Sequence, residues 1–260
     1  MKFQAKNSAL QEALQTAITA VPNKSSLPIL NNFSLRLEGN ILEICATDLN
    51  LGVRTKVEVQ GERDGEAVIN ARKFADIFKA LDSSIETISI DVQDYLAKIK
   101  WSERGQASIM SFDASDFPPL PEVEGTTRNF APSELAFLVE KTAFAVSNDS
   151  TRHNLNGIFL EAIDGKVSMV ATDGHRMGRA CIEQEGTVLP KGIIVQSKIL
   201  QQVLRIAKAS DTIEVRANET FIMCNTGTTQ IISKLFEGPY PNYRSVCPQS
   251  FERTVQANTA

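Results

Sequence analysis

Apolar residues recur at helical spacing in two stretches of each half of the chain, and alternate with polar ones almost everywhere between. After Ser8, the residues Leu10, Leu14, Ala17, Ile18 and Val21 share one helical face, and Gln11 stands three positions after Ser8 as in a capping box. Phe74, Ile77, Phe78 and Leu81 follow the i, i+3, i+4, i+7 pattern and predict a second helix over 71–81. Alternation predicts strands over 32–37 and 41–46 around the turn Glu38-Gly39-Asn40, and over 55–59, 67–70, 88–92 and 96–100. The second half does the same: Pro132 opens a helix carrying Leu135, Leu138, Val139, Ala143 and Val146. Ile163-Asp164-Gly165 reads as a hairpin turn, and Leu200, Val203, Leu204 and Ala207 predict a helix over 197–209. The fold class expected is α+β, each half having two helices packed on one face of antiparallel sheets.

The likeness of the halves is literal. Shifted by 125 positions, residues 20–54 meet 145–179 without a gap, and eleven of the 35 pairs are identical, among them Asn23/Asn148, Leu30/Leu155, Asn31/Asn156, Ala46/Ala171, Thr47/Thr172, Asp48/Asp173 and Arg54/Arg179. The register is expected to continue through Ser8/Ser133 and Leu10/Leu135 upstream. Downstream it would set Val68-Ile69 and Lys73 against Ile193-Ile194 and Lys198. Domains are therefore placed at 1–122 and 126–247, joined by Pro118-Pro119-Leu120-Pro121-Glu122. A second shift lays Thr254-Val255-Gln256-Ala257 over the start of each copy, so residues 251–260 read as the beginning of a third, and the 260 residues as part of something longer.

Composition narrows the function. With 42% apolar and 22% charged residues the chain is neither disordered nor fibrous. No apolar run approaches the roughly 20 residues of a membrane span, and the start lacks a signal-peptide core, so a cytoplasmic protein is expected. Four scattered cysteines without a CxxC pair, two histidines, and no P-loop or GxGxxG imply neither a metal nor another cofactor. The net charge of −4 conceals an asymmetry. Arg72, Lys73, Lys79, Lys198, Arg205 and Lys208 lie on the two later helices against Asp76 alone, a sum of +5, which leaves −9 for the rest. Such helix faces suit phosphate contacts, which give affinity without base information, although a solvated helix face has the same pattern. A catalytic use of Asp173 and His175 is the enzyme alternative, but the matching copy Asp48-Leu49-Asn50 has no histidine, and turn capping by the Asp accounts for both.

The segments Leu27-Pro28-Ile29-Leu30-Asn31, Ala46-Thr47-Asp48-Leu49, Asp116-Phe117-Pro118, Leu155-Asn156-Gly157, Ala171-Thr172-Asp173-Gly174-His175-Arg176 and Ser233-Lys234-Leu235 followed by Pro241-Asn242-Tyr243-Arg244 resemble the bacterial sliding clamps, the beta subunits of DNA polymerase III. The resemblance implies three tandem DNA-clamp repeats per chain and a head-to-tail homodimeric ring around double-stranded DNA. It implies a non-catalytic processivity factor that tethers the DNA polymerase III catalytic subunit and meets the clamp loader. It places DNA contacts at Lys24, Arg72 or Lys73, Asp149, His153 and Asn154, to which the charge pattern adds Lys198 and Arg205. A pocket for partner peptides would comprise Leu155, Thr172, Gly174, His175, Arg176, Met177, Pro241 and Val246. The 260 residues alone are expected to leave the ring open, with an orphaned strand edge at 107–112. A two-domain protein-binding module of the same fold, without DNA encirclement, is the alternative.

Overall fold

A computed structural model describes residues 1–163, 165–183, 192–207 and 212–247, with 250 and 253. The first repeat runs β1 (Lys2–Lys6), α1 (Asn7–Ala17), β2 (Asn32–Glu38), β3 (Ile41–Thr47), β4 (Leu51–Glu58), β5 (Gln60–Arg63), β6 (Gly65–Asn70), α2 (Ala71–Ala80), β7 (Thr87–Gln93), β8 (Leu96–Lys100) and β9 (Gln106–Phe112). The second runs β10 (Thr126–Phe130), α3 (Pro132–Glu140), β11 (Gly157–Ile163), β12 (Lys166–Thr172), β13 (Met177–Glu183), β14 (Ile193–Gln196), α4 (Ser197–Ile206), β15 (Ile213–Ala217), β16 (Phe221–Asn225) and β17 (Thr229–Lys234). α1 packs on α2 and α3 on α4, and each pair covers one face of its sheets.

The duplication is visible in strand register. Lys2 faces Asp91 and Thr127 faces Arg216; Leu35 faces Ile44 and Leu160 faces Met169; Ile44 faces Thr55 and Met169 faces Ala180. Downstream, the expected register is corrected. Phe33 faces Ile69 whereas Ile158 faces Val195, and α2 starts at Ala71 whereas α4 starts at Ser197. One extra residue between β13 and β14 thus makes Lys198 the counterpart of Arg72, not of Lys73, and Arg205 the counterpart of Lys79. A slip carried into the helix would have turned its apolar stripe away from the core; the insertion is absorbed before the strand, so Leu200 and Val203 stay buried as Phe74 does.

β17 pairs antiparallel with β4, setting Thr229 opposite Thr55, Ile231 opposite Val53 and Ser233 opposite Leu51. The seam makes one 13-stranded sheet, in the order β10-β15-β16-β17-β4-β3-β2-β6-β9-β8-β7-β1-β5, while β13-β12-β11-β14 form a separate four-stranded sheet. Buried hydroxyls of Thr55 and Thr229 share a hydrogen bond of 2.9 Å across the seam. Val53 and Val57 point to the helices. On the other face the Pro-rich linker lies as a strap: Leu120 and Val123 are buried against Met223 and Ile232. Gly52 makes room, since a Cβ there would stand 2.6 Å from Leu120 Cδ2.

Three further expectations change. α1 begins at Asn7 with no side-chain cap, and Gln11 reaches out of its helix to donate from Nε2 to the Phe78 carbonyl at 2.6 Å, closing the end of α2. The Ser8–Gln11 spacing therefore serves tertiary packing and not a capping box. α1 stops at Ala17 and continues only as a 3-10 turn to Ala20, and α2 stops at Ala80. The edge expected at 107–112 is shorter, because Ser111 and Phe112 pair with Ile69 and Val68 of β6. Asp164, Lys208, Ala209 and residues 251–260 other than Arg253 lie outside the described residues.

Candidate functional site

Periodicity decides which side chains of α2 and α4 reach solvent. Ala71, Phe74 and Phe78 are buried in α2, as are Ile199, Leu200 and Val203 in α4, which leaves Arg72, Lys73, Lys79, Lys198 and Arg205 exposed. The Asn70 side chain caps α2 by accepting from the Lys73 N–H at 3.1 Å. Arg72 donates to Asn23 Oδ1 at 2.8 Å, which ties the loop bearing exposed Lys24 to the start of α2. Lys24 thus follows directly on the residue that Arg72 holds. Lys73 is turned toward a cleft of about 560 Å³ shared with Pro28, Ile29, Ile109, Met110 and Phe112, at the β9 side of the repeat.

Asp149, His153 and Asn154 fall on the loop before β11, in the place that Lys24 and its neighbours occupy in the first repeat. Asp149 is engaged locally: its Oδ1 accepts from the Thr151 hydroxyl and N–H, which hold its carboxyl below the usual range, and Oδ2 lies 3.6 Å from Arg152 Nε. Asn154 donates to the Pro239 carbonyl at 3.3 Å and His153 is exposed. Arg152, which sequence reasoning did not single out, also reaches the Asp173 carbonyl at 3.5 Å and so joins this loop to the next.

That next loop, between β12 and β13, is an Asx turn. Asp173 Oδ1 accepts from the N–H groups of His175 and Arg176 at 2.9 and 3.0 Å, Oδ2 accepts from Arg176 Nε at 3.0 Å, and Thr172 Oγ1 donates to the Arg176 carbonyl at 2.7 Å. The two N–H groups, Arg176 first, and then its guanidinium bring the Asp173 carboxyl down to about 2. Because this lies below the ordinary 3.8, the turn is favoured above about pH 4 and its carboxylate contribution is lost as pH falls through about 2. We expect the Arg176 Nε–H resonance to titrate in that low range; a midpoint near 4 would contradict the turn.

Asp48 builds the same turn in the first repeat, accepting from Asn50 and Leu51 at 2.9 and 2.7 Å. The turn needs a left-handed residue, which Gly174 supplies at φ 90° and Leu49 supplies at φ 75°. Leu49→Gly should therefore raise stability by about 0.5 kcal/mol, strain relief outweighing the added chain entropy, as read by urea unfolding. Both Asp residues are thus occupied by their own turns. This is the turn-capping use weighed above against acid–base chemistry.

The remaining pocket candidates differ in exposure. Leu155 is buried, Met177 half-buried, and Gly174, His175, Arg176 and Pro241 are exposed; Val246 is 73% exposed. The Arg176 guanidinium lies 5.8 Å from the ring centre of exposed Phe144, an apolar neighbour that the sequence did not flag. Pro241 and Val246 belong to the segment after β17, held to β11 by Tyr240, stacked on Phe159 at 4.7 Å, and by Tyr243 and Arg244, which both donate to Glu161. Glu161 was missed because its counterpart, Arg36, is an ordinary exposed cation paired with Glu38 and Glu66. Repeat comparison points away from it.

Residues 1–121 match the sequence model of the DNA polymerase III beta subunit, N-terminal domain, and residues 129–242 that of its central domain. The beta sliding clamp of Vibrio cholerae is 32% identical over 260 residues, covering 98% of this chain and 70% of that protein, and the clamp of Escherichia coli is 29% identical over 261 residues, covering 99% and 70%. Among solved structures, the sliding clamp of Pseudomonas aeruginosa bound to griselimycin superposes with a TM-score of 0.89 at 29% identity, over 97% of this chain and 69% of that one. The polymerase III beta subunit of Caulobacter crescentus superposes with a TM-score of 0.87 at 27% identity, over 96% of this chain and 70% of that one. With its strand registers duplicated and both family domains matched in order, this chain belongs to the bacterial sliding-clamp family, the beta subunits of DNA polymerase III.

Proposed function

We propose that the chain forms two consecutive segments of a ring that encloses double-stranded DNA and acts as a processivity factor, a non-catalytic partner of the polymerase. The observation that carries this reading is the β4–β17 seam. Among the described residues, β13, the second repeat's copy of β4, ends its own sheet, while β9, the first repeat's copy of β17, has only β8 beside residues 106–110. Each end of the two-repeat unit thus carries one half of the joint seen in its middle. A unit with unlike, complementary ends assembles head to tail, and the rotation between repeats decides whether the assembly closes.

The cations proposed to face the duplex are Lys24, Arg72, Lys79, Lys198 and Arg205, each exposed on or beside a helix. Lysine and arginine heads on flexible stems bind phosphates in any register, and an enclosing protein needs no tighter grip to stay on its track. The partner pocket is proposed at Leu155, Thr172, Gly174, His175, Arg176, Met177, Pro241 and Val246, where an apolar floor and a polar rim suit a short extended peptide such as the tails of the polymerase catalytic subunit or the clamp loader. Asp149 does not fit phosphate contact in its observed state, since its charge has the wrong sign and its oxygens are already engaged.

The test is topological. Protein carrying this chain, loaded by a clamp loader on nicked circular DNA, should remain bound through gel filtration and be lost when the circle is cut once. Equal retention on circular and linear DNA would favour the binding-module alternative.

A further inference from the structure

We propose that Glu161 is the positioning residue of the partner pocket, fixing the wall that bears Pro241 and Val246 before any further repeat packs against it. The proposal rests on the pocket assignment above. β11 alternates: Ile158, Leu160 and Ala162 face the helices, so Phe159 and Glu161 face the opposite side of the sheet. The segment from Pro239 to Cys247 crosses that side. Tyr240 lies flat on Phe159, with ring planes 6° apart. Three residues on, the Tyr243 hydroxyl and Arg244 Nη2, the latter at 2.8 Å, donate to the same Glu161 oxygen. The guanidinium groups of Arg244 and Arg179 lie 5.4 and 5.9 Å from the Tyr243 ring centre.

Glu161 is 7% exposed and Tyr243 5%. A carboxylate so far removed from water is costly unless hydrogen-bonded, and both donors here come from one short segment, so strand and segment hold each other in place. The first repeat shows that the fold does not require this device. Its equivalents on β2 are Ser34 and Arg36, and its strap has Phe117 and Leu120 where the second has Tyr240 and Tyr243. Leu120 is seated instead by Met223 and Ile232 of the following repeat. The first strap is held by its neighbour, the second by its own sheet. Val246 thus stands exposed on an anchored backbone, a preorganised wall that an incoming peptide need not order.

The experiment compares wild type with Glu161→Ala, Glu161→Gln and Tyr243→Phe by hydrogen exchange of amides 243–247 and by titration with griselimycin. Glu161→Ala should speed exchange in that segment about tenfold and weaken griselimycin about tenfold, the effect of losing charge-assisted hydrogen bonds, with exchange in α3 unchanged. Glu161→Gln, which keeps an acceptor for Tyr243, should recover most of both. If Glu161→Ala does not fold, Tyr243→Phe, which removes one hydroxyl, is read in its place. Unchanged exchange at 243–247 overturns the proposal, and so does faster exchange with unaltered griselimycin affinity. Griselimycin binding that Val246→Asp leaves unaltered contradicts the pocket assignment instead, and the exchange data still decide whether Glu161 holds the segment.

Discussion

Ile232→Asp is expected to destabilise the protein by about 3–5 kcal/mol, the scale of burying an uncompensated charge, and to release the linker from the sheet. Ile232 is 3% exposed and is enclosed by Leu120, Val123 and Met223 on the side of the seam away from the helices. An aspartate there would replace a side chain packed on Leu120, Val123 and Met223, so the strap must lift or the charge must be neutralised. Urea unfolding reads the first effect and limited proteolysis at residues 118–124 the second. The same change at Val246, which is 73% exposed, should cost little. A loss under 1 kcal/mol at Ile232 with an intact, protected linker would mean that the strap does not brace the seam.

The second large effect concerns the helices. Reversing Arg72, Lys79, Lys198 and Arg205 together to glutamate should weaken duplex binding on the order of a hundredfold and flatten its dependence on salt by roughly three to four units of slope, since each phosphate contact releases about one counterion. All four side chains are exposed while the apolar stripes beneath them are untouched, so thermal unfolding should remain cooperative and nearly unshifted. Unchanged affinity and slope in the reversed variant would assign these cations to solvent.

Element types and the duplication were legible because hydrophobic period and turn chemistry are local properties. Phe74 and Phe78 declare their helix face, and Gly39 at φ 55° marks its hairpin. What escaped were features set by chain segments far apart. Gln11 looked like a capping residue because spacing cannot show that the Phe78 carbonyl lies nearer than its own helix end. The one-residue slip before β14 was hidden by chance matches of isoleucine and lysine in the ungapped register. At the site, the Asp48 and Asp173 turns were readable from a short motif, whereas Glu161, Phe144 and Arg152 matter through partners 83, 32 and 21 positions away in Arg244, Arg176 and Asp173. The linker was recognised by its prolines, but the burial of Leu120 depends on Gly52, a residue with no side chain to advertise it.

The most direct measurement is photocrosslinking to duplex DNA from a benzophenone side chain placed at three positions in turn. Lys79 and Arg205 stand on the exposed faces of α2 and α4, and Lys98 stands on β8, whose neighbours Ala97 and Ile99 point the other way into the core. Crosslinks from 79 and 205, none from 98, and the same yield on duplexes of unrelated sequence are the outcome the enclosing role requires. Crosslinking from 98 as strong as from the helices would place DNA on the strand side of the repeats and contradict it.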